Sequence, residues 1–375
     1  MPFQLVDDER SLERELSRLD TATIGIDVER ADAQQYFRSP ALIQIGSDTD
    51  CVLIDSLNIT TFQPVNAFVA ARDTLVLHAG ENDYEPLQAK GIVLGECEDT
   101  AVAASLLGLP GGLGTLLTDL LAIDTPNKNR FQRADWAKRP LSHAMLEYAA
   151  SDVIHLPRLW ETLRQELVTA GRFAWYEEER RRVRERAALR ERSVTKLRGA
   201  GSLAPHEKAV LHAIWDAREA YARAHNLAPN FLVHDDVLLA VSRTPPESAA
   251  ALAALLPKRE QSQAFTQLLF AAVTDGQSRP PVVRDTQRIV VDDTVHDALK
   301  QARSAVAKEI GIDAGVLAPA TALKQALSRP VQDGEQILVH AGLAGWRTPL
   351  LQDALWEAYK DANDRLVSGP DSPAN

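Results

Sequence analysis

The stretch TIGIDVER, residues 23 to 30, combines β-branched residues, which favour a β-strand, with two acids near its end. Side chains two residues apart in a strand point to the same face of the sheet, so Asp27 and Glu29 share one face. The two acids either lie in solvent where the strand has ended, or they bind a cation, since Mg²⁺ and Mn²⁺ prefer carboxylate oxygens. Only partner residues elsewhere in the chain distinguish these interpretations.

Two later segments place further polar side chains beside apolar ones. Asp83 follows a strand that ends near His78 and stands where the next helix begins, so it is either a helix-capping acid or part of a site. Tyr148 and Asp152 are four residues apart and therefore lie on one face of a largely apolar helix. Because Asp is rarely buried without a partner, Asp152 implies one.

The first 155 residues alternate between strand and helix patterns, which predicts an α/β domain with a mixed sheet flanked by helices. The predicted strands are ATIGID, ALIQIG, CVLID and TLVLHA, and SDTD joins the middle two as a hairpin. One long helix with a bend is expected from about residue 157 to about residue 198. The glycines and the proline of RGAGSLAP (198–205) then end this helix and indicate a domain boundary.

The remaining chain is helical and duplicated. A shift of 85 residues without a gap places REAYARAHNLAPNFLVHDDVLLAVSRTP (218–245) over RSAVAKEIGIDAGVLAPATALKQALSRP (303–330). This period is far longer than that of solenoid repeats and indicates two copies of one helical domain. Residues 274–288 are expected to link the copies, and the last residues, SGPDSPAN, to form a disordered tail. The predicted segments are residues 1–197, 203–277, 289–367 and 368–375.

Composition indicates a globular protein, with 45% hydrophobic and 25% charged residues. The N-terminal residues lack the basic and apolar regions of a signal peptide, and two cysteines form neither a disulfide framework nor a four-ligand zinc site. A cytoplasmic protein without membrane contact is expected. The net charge of −11 argues against nucleic acid as a partner, whereas the basic clusters at 128–139 and 180–198 are either solvated or bind phosphate.

Three motifs, taken in order, resemble those of a known superfamily. DVE at a strand end, HAGENDYEPL after a later strand and YAASDVIHL on a helix resemble the exonuclease motifs of the DEDD superfamily. CEDTAVAASLLG (97–108) and RADWAKRPLSHAMLEYAASDV (133–153) extend the resemblance to the ribonuclease D family. The helical segments resemble the two C-terminal HRDC domains of that family. The resemblance implies a ribonuclease H-like exonuclease domain followed by two all-α HRDC-like bundles.

The resemblance also assigns roles to five residues. It makes Asp27, Glu29, Asp83 and Asp152 the ligands of two divalent metal ions, Mg²⁺ or Mn²⁺, and Tyr148 the residue that holds the attacking water. Four carboxylates in one cluster repel one another, so cations among them would explain why the acids lie together.

Other positions specify the branch of the superfamily and the contacts to substrate. Glu147 stands where the histidine branch carries its histidine, so the chain resembles the tyrosine branch. The first motif is commonly followed by an aromatic residue, whereas Arg30 follows Glu29 here, which affects how the 3′-terminal nucleotide is seated. The candidate nucleic-acid contacts are His78, Asn82, Lys128, Arg130 and Arg133. Trp136 is expected to pack beneath its loop or to stack on a base.

The implied activity is that of a 3′→5′ exoribonuclease. It would trim 3′-extended tRNA precursors and similar small structured RNAs by two-metal-ion hydrolysis, release nucleoside 5′-monophosphates and act as a monomer. One alternative is an enzyme of the same fold that acts on DNA, because no motif specifies contacts to the 2′-hydroxyl. The other is a non-catalytic nucleic-acid-binding adaptor, against which the presence of all five expected active-site residues argues.

Overall fold

The N-terminal part of the chain is built on a six-stranded sheet. The computed structural model describes residues 3–124, 131–132, 134–188, 192–257, 262–282 and 291–368. The strands are β1 (Gln4–Val6), β2 (Thr23–Arg30), β3 (Pro40–Gly46), β4 (Cys51–Asp55), β5 (Thr74–Leu77) and β6 (Cys97–Asp99). They lie in the order β1-β4-β3-β2-β5-β6, with β3 antiparallel to both of its neighbours and the other pairs parallel. The predicted mixed sheet is therefore confirmed.

The predicted hairpin is also confirmed, because β3 and β4 pair antiparallel across a tight turn. The amide of Ser47 donates to the carbonyl of Asp50 at 2.8 Å and closes this turn. The sequence pattern does not predict β1 or β6, the two edge strands. Each has three residues, too few for alternation of polar and apolar side chains to be visible.

Helices cover both faces of the sheet. They are α1 (Glu9–Leu16), α2 (Gln63–Ala70), α3 (Tyr84–Ala89), α4 (Thr100–Leu107), α5 (Leu113–Leu121), α6 (His143–Val153), α7 (Leu156–Thr169) and α8 (Phe173–Ala188). Ile24, Ile26 and Val28 of β2 share a core with apolar residues of α1 and α2. The alternate positions of β2, which include Gly25 and the two acids, therefore face α6 on the opposite side of the sheet.

The long helix predicted from residue 157 to residue 198 is instead two helices. Gly171 has a φ of +67°, and this left-handed conformation, which glycine adopts without strain, separates α7 from α8. Short 3₁₀ turns at Val194–Lys196 and Ala200–Ser202 follow. The predicted interruption at residues 198–205 is thus present.

The remainder of the chain forms two helical units of the same design. The first helical unit contains α9 (Pro205–His225), α10 (Pro229–Leu232), α11 (Asp235–Arg243), α12 (Ala249–Ala253) and α13 (Gln263–Ser278). The second helical unit contains α14 (Asp293–Ile310), α15 (Ala314–Leu317), α16 (Ala320–Ala326), α17 (Gly334–His340) and α18 (Thr348–Ser368). No helix within the described ranges is long and apolar enough to cross a membrane.

The 85-residue repeat seen in the sequence appears in the structure as repeated geometry. Helices α10 to α13 begin at residues 229, 235, 249 and 263, and α15 to α18 begin 85 residues later, at 314, 320, 334 and 348. Arg218 donates to the carbonyl of Val233 at 3.0 Å, and Arg303 donates to the carbonyl of Ala318 at 2.8 Å, again 85 residues later. The two units therefore share helix order and an arginine-to-backbone contact.

The linker predicted to start at residue 274 starts later. Residues 274–278 complete α13, because Gly276 packs against α9 so closely that a Cβ there would lie 2.6 Å from the Cα of Val210. The helix continues through a glycine where the sequence pattern indicates a break.

The two helical units are attached to the sheet domain in different ways. Apolar residues of α14 to α18 belong to the same buried core as α4 to α7, so the second unit shares its core with the sheet domain. The rings of Trp175 and Trp346 stack at 4.9 Å across this junction. The first unit has a separate core of its own.

Candidate active site

Strand β2 carries Asp27 and Glu29 beyond the end of its parallel neighbour. Residues 23–25 of β2 pair with β5, whereas the rest of β2 continues beside β3 alone. The two acids therefore lie at a crevice outside the carboxyl ends of parallel strands, where α/β sheets commonly bind ligands.

The turn after β5 brings Asp83 to the same crevice. Ala79 has a φ of +56°, and the 3₁₀ turn Gly80–Asn82 follows directly. The carboxylate of Asp99 fixes this turn by accepting hydrogen bonds from the amides of Ala79 and Gly80, each at 3.0 Å. Asp83 is 8% exposed and stands at the start of α3.

Helix α6 brings Tyr148 and Asp152 against the strands because two glycines leave room for it. A Cβ on Gly25 would lie 2.4 Å from the carbonyl oxygen of Val153, and a Cβ on Gly46 would lie 2.8 Å from the Val153 side chain. The backbone of α6 therefore lies directly on β2 and β3. This contact places Asp152, which is 9% exposed, next to the acids of β2.

The predicted acids form one cluster. Ligand oxygens of Asp27, Glu29 and Asp152 lie within 4.8 Å of one another. Asp83 is close enough for its charge to raise the pKa of both Asp27 and Glu29. The structure thus brings together all four acids that the sequence motifs single out.

Burial and mutual repulsion hold protons on this cluster. Burial, the neighbouring Asp152 and then Asp83 raise the pKa of Glu29 to about 8. Burial and the charge of Asp99 raise the pKa of Asp83 to about 7, against the opposing charges of Arg30 and Arg38. The pKa of Asp27 is also raised, first by burial and then by its three acidic neighbours. Without a cation the cluster is therefore electrostatically unfavourable at neutral pH.

The donor set of the cluster fits divalent metal ions. It consists of carboxylate oxygens, the ligand type that suits Mg²⁺ and Mn²⁺ rather than softer metals. Two cations would neutralise the repulsion that raises the pKa values and would stabilise the deprotonated carboxylates.

Tyr148 contacts the cluster through its hydroxyl and the surrounding loop through its ring. The hydroxyl hydrogen-bonds to Asp152, and burial together with the neighbouring acids raises the pKa of the phenol, so it is neutral at physiological pH. Its ring centroid lies 5.7 Å from that of Phe131 and 6.1 Å from that of Trp136. Trp136 is buried, which confirms that it packs beneath its loop.

The predicted nucleic-acid contacts are only partly described. The ring nitrogens of His78 lie 2.9 Å from the hydroxyl of Thr100 and 3.1 Å from the carbonyl oxygen of Gly111. Asn82 accepts a hydrogen bond from Arg38 at 3.0 Å. Contacts of these two residues with RNA stay a prediction. Lys128, Arg130 and Arg133 lie outside the described residues.

Sequence reasoning missed two residues that shape the surroundings of Asp83. Asp99 orients the preceding turn, and its only sequence signal is its position as the N-cap of α4. Arg38 lowers the pKa of Asp83 from the loop after β2, for which no motif provides a signal.

Comparison with known proteins supports the assignment drawn from the motifs. Residues 3–168 match the 3′-5′ exonuclease family model, and residues 207–272 match the HRDC domain. Ribonuclease D of Granulibacter bethesdensis is 33% identical over 270 residues, which cover 68% of this chain and 67% of the relative. Ribonuclease D of Shewanella sp. ANA-3 is 30% identical over 295 residues, covering 76% and 75%.

A solved structure gives the same assignment. Escherichia coli RNase D, described as an exoribonuclease involved in structured RNA processing, matches with a TM-score of 0.81 at 26% identity. The match covers 96% of this chain and 99% of that chain. The resemblance indicated by the motifs is thus confirmed, and the chain belongs to the ribonuclease D family of 3′–5′ exoribonucleases.

Proposed function

We propose that this chain trims the 3′ ends of small structured RNAs, 3′-extended tRNA precursors among them, and releases nucleoside 5′-monophosphates. The observation that carries the proposal is the convergence of four buried or half-buried acids with Tyr148 at the end of β2. The similarity to E. coli RNase D, whose description names structured RNA processing, supports this class of substrate.

The proposed metal ligands are Asp27, Glu29, Asp83 and Asp152, which would hold two divalent ions, Mg²⁺ or Mn²⁺. Bound there, such ions stabilise charge on the scissile phosphate and lower the pKa of a water molecule. The raised pKa values of Glu29 and Asp83 support this role, because they show that the cluster lacks balancing positive charge in the protein itself.

Tyr148 is proposed to position the attacking water. Its hydroxyl is a neutral hydrogen-bond donor at the edge of the acid cluster, so it can orient the water without removing a proton from it. Phe131 and Trp136 hold the tyrosine ring in place through their ring contacts. The proposed catalytic residues are Asp27, Glu29, Asp83, Tyr148 and Asp152.

The proposed domain organisation follows from the repeat. Residues 1–197 would form the exonuclease domain, residues 203–277 and 289–367 two HRDC-like domains, and residues 368–375 a tail. The HRDC match at residues 207–272 supports the first of these, and the common helix starts of the two units support the second. A cytoplasmic monomer is the proposed working form.

The test is incubation of the purified full chain with a 3′-extended tRNA, with and without Mg²⁺, followed by separation of products by length and identification of the released mononucleotide. Stepwise shortening that requires Mg²⁺ and releases nucleoside 5′-monophosphates is expected. A matched DNA strand in a parallel reaction distinguishes RNA from DNA as the preferred substrate.

The control variants separate the acid cluster from general loss of charge. Asp27→Asn should abolish shortening, whereas Asp353→Asn, at an exposed position of α18, should leave it unchanged. Full activity of Asp27→Asn, or full activity in excess chelator, would contradict the proposed site. Absence of nucleotide release from every RNA and DNA tested would favour the adaptor.

A further inference from the structure

A large cavity lies between the loop after β2 and the first helical unit. Its volume is about 880 Å³, within the usual range of about 300–1,000 Å³ for ligand sites. Its lining comprises Tyr36, Phe37, Arg38, Glu85, Arg192, Lys196, Trp215, Glu219, Ala220 and Arg223. One end lies beside the acid cluster, because Arg38 hydrogen-bonds to Asn82 and Glu85 follows Asp83 by two residues.

Backbone hydrogen bonds fix the two walls of this cavity relative to each other. The amide of Ala228 donates to the carbonyl oxygen of Gln34 at 2.9 Å, and the amide of Phe37 donates to the side chain of Asn226 at 3.0 Å. The loop that leaves the catalytic strand is therefore held directly against the first helical unit. The cavity is a preformed feature rather than a gap between unconnected surfaces.

The lining of the cavity is positively charged although the chain as a whole carries a net charge of −11. Four lining residues are cationic and two are acidic. Arg38 pairs with Glu85 at 3.1 Å and Arg192 pairs with Glu219 at 2.9 Å, and Glu219 also contacts the buried Arg218. The excess positive charge, to which Arg223 contributes, suits phosphate groups.

Aromatic rings lie among these cations. Phe37 is 48% exposed and packs edge-on against Tyr36, with ring centroids 5.2 Å apart. The guanidinium of Arg223 lies 5.5 Å from the centroid of the Tyr36 ring. Exposed aromatic rings alternating with arginines are the arrangement with which proteins stack successive bases of single strands and follow their backbone.

We propose that this cavity binds the single-stranded nucleotides immediately 5′ of the 3′-terminal nucleotide. Phe37 stacks on a base, and Arg223 contacts a backbone phosphate. The proposal rests on the function proposed above, since it assigns the path of the same RNA strand toward the acid cluster. It makes the first helical unit a part of the substrate site. A protein ligand is the competing occupant, and the cationic lining favours RNA.

Binding measured without catalysis tests the cavity independently of turnover. The full chain is titrated into a 5′-labelled ten-nucleotide oligo(A) RNA in excess chelator, and fluorescence anisotropy is recorded at several salt concentrations. Phe37→Ala should weaken binding roughly 5- to 100-fold, as expected for one lost base stack, and Phe37→Tyr should restore it. Arg223→Gln should reduce the slope of log affinity against log salt by about 0.7, the value for one phosphate on a single strand.

A matched control is Arg365→Gln, which removes the same charge from an exposed position of α18. It should leave both affinity and salt slope unchanged. Failure of the wild-type chain to bind the RNA would overturn the proposal. Unaltered binding by Phe37→Ala and Arg223→Gln would also overturn it and leave the cavity to a protein ligand. Melting temperatures equal to wild type exclude misfolding as the cause of weak binding.

Substrate length separates this proposal from the proposed function. With Mg²⁺ present, Phe37→Ala should raise KM on the ten-nucleotide RNA while leaving kcat near wild type, and it should leave hydrolysis of a dinucleotide, which is too short to fill the cavity, unchanged. Equal loss on both lengths would overturn the assignment. If the wild-type chain binds the ten-nucleotide RNA through Phe37 but hydrolyses no RNA, the proposed activity fails and the binding site stands.

Discussion

The hydroxyl of Tyr148 hydrogen-bonds to the carboxylate of Asp152, one turn further along α6. The two side chains share one helix face, yet only Asp152 has oxygens within 4.8 Å of those of Asp27 and Glu29 in a ligand set. The tyrosine therefore lies at the edge of the acid cluster rather than within it. This relationship separates two roles that variants of the two residues should distinguish.

Asp152→Asn and Tyr148→Phe should differ in metal binding. Asp152→Asn removes a ligand, so we expect activity to fall by more than about three decades, about 4 kcal/mol, together with metal affinity. Tyr148→Phe keeps the ring and all four acids and removes one positioned hydroxyl. Its turnover should fall by about two to three decades with metal affinity near wild type. Mn²⁺ titration calorimetry beside a nucleotide-release assay measures both quantities.

The outcome for Tyr148 is decisive in either direction. If Tyr148→Phe lost as much metal affinity as Asp152→Asn, the hydroxyl would be supporting the ligand set rather than the water. If it kept the wild-type rate, the hydroxyl would have no part in the reaction.

The acid cluster should make the metal-free protein less stable as the pH rises. The pKa of Asp83 is raised from 3.8 to about 7 and that of Glu29 from 4.5 to about 8, both chiefly by burial. The folded state therefore binds more protons than the unfolded chain between about pH 4 and pH 8, so the free energy of unfolding decreases with increasing pH in that window. In excess chelator, the melting temperature should fall by at least about 2 °C from pH 5 to pH 8.

Metal binding and a charge-removing variant provide the controls for this pH dependence. Added Mn²⁺ should restore the melting temperature at pH 8, because it binds the folded state only. Glu29→Gln in chelator should be more stable than wild type at pH 8 and show a smaller decrease with pH. A wild-type melting temperature that increased toward pH 8 in chelator would disagree with the raised pKa values.

Local patterns were sufficient to predict much of the fold and the acids of the site. The spacing of Asp27 and Glu29 specifies one strand face, and the spacing of Tyr148 and Asp152 specifies one helix face. The repeat in the sequence likewise predicts two helical units with the same helix starts. In each case the signal and its structural consequence lie within a few residues or in a direct comparison of two segments.

Features that depend on distant partners could not be predicted. Asp99 binds backbone amides about 20 residues earlier, which no local pattern specifies. The basic cluster at 180–198 was expected either to be solvated or to bind phosphate. Instead Arg180 and Arg184 both bond to Glu96, at 2.7 and 2.8 Å, and Arg186 bonds to Glu81. Amphipathic helices also do not specify which surface they cover, so the core shared with the second unit was not foreseen.

A buried ion pair should make the second helical unit essential for the stability of the exonuclease core. Nη1 of Arg347 lies 2.6 Å from Oε2 of Glu179, and both residues are buried. Burial alone would raise the pKa of Glu179, but the hydrogen bond and charge of Arg347 hold it below its usual value. Arg347→Met should reduce the free energy of unfolding by about 3–5 kcal/mol, because it leaves the Glu179 carboxylate buried without its partner.

Urea denaturation followed by tryptophan fluorescence measures this loss. The double variant Glu179→Gln with Arg347→Met should recover part of it, since no unpaired charge remains. Arg164→Met, which removes an exposed pair with Glu161, should change stability by less than about 1 kcal/mol. A loss as small for Arg347→Met as for Arg164→Met would mean that the second unit is not held to the sheet domain by this pair.

The glycines beneath α6 should control the geometry of the acid cluster without contacting substrate. A Cβ on Gly25 would lie 2.4 Å from the carbonyl oxygen of Val153, and a backbone atom cannot rotate away as a side chain can. Gly25→Ala must therefore displace the end of α6 and move Asp152 relative to Asp27. We expect a loss of stability of about 1–3 kcal/mol, as in other overpacked sites, and a fall in Mn²⁺ affinity of at least tenfold.

Gly95→Ala is the matched control, because a Cβ there meets no atom within 4 Å and the residue has no left-handed conformation. It should leave stability, Mn²⁺ affinity and nucleotide release near wild type. Thermal unfolding reports the packing change, and calorimetry reports the change in the cluster. A Gly25→Ala protein that was destabilised but bound Mn²⁺ as tightly as wild type would show that the sheet adjusts while the acids keep their positions. The close contact of α6 with β2 would then serve stability alone, and the separation of Asp27 from Asp152 would have to be maintained by other contacts.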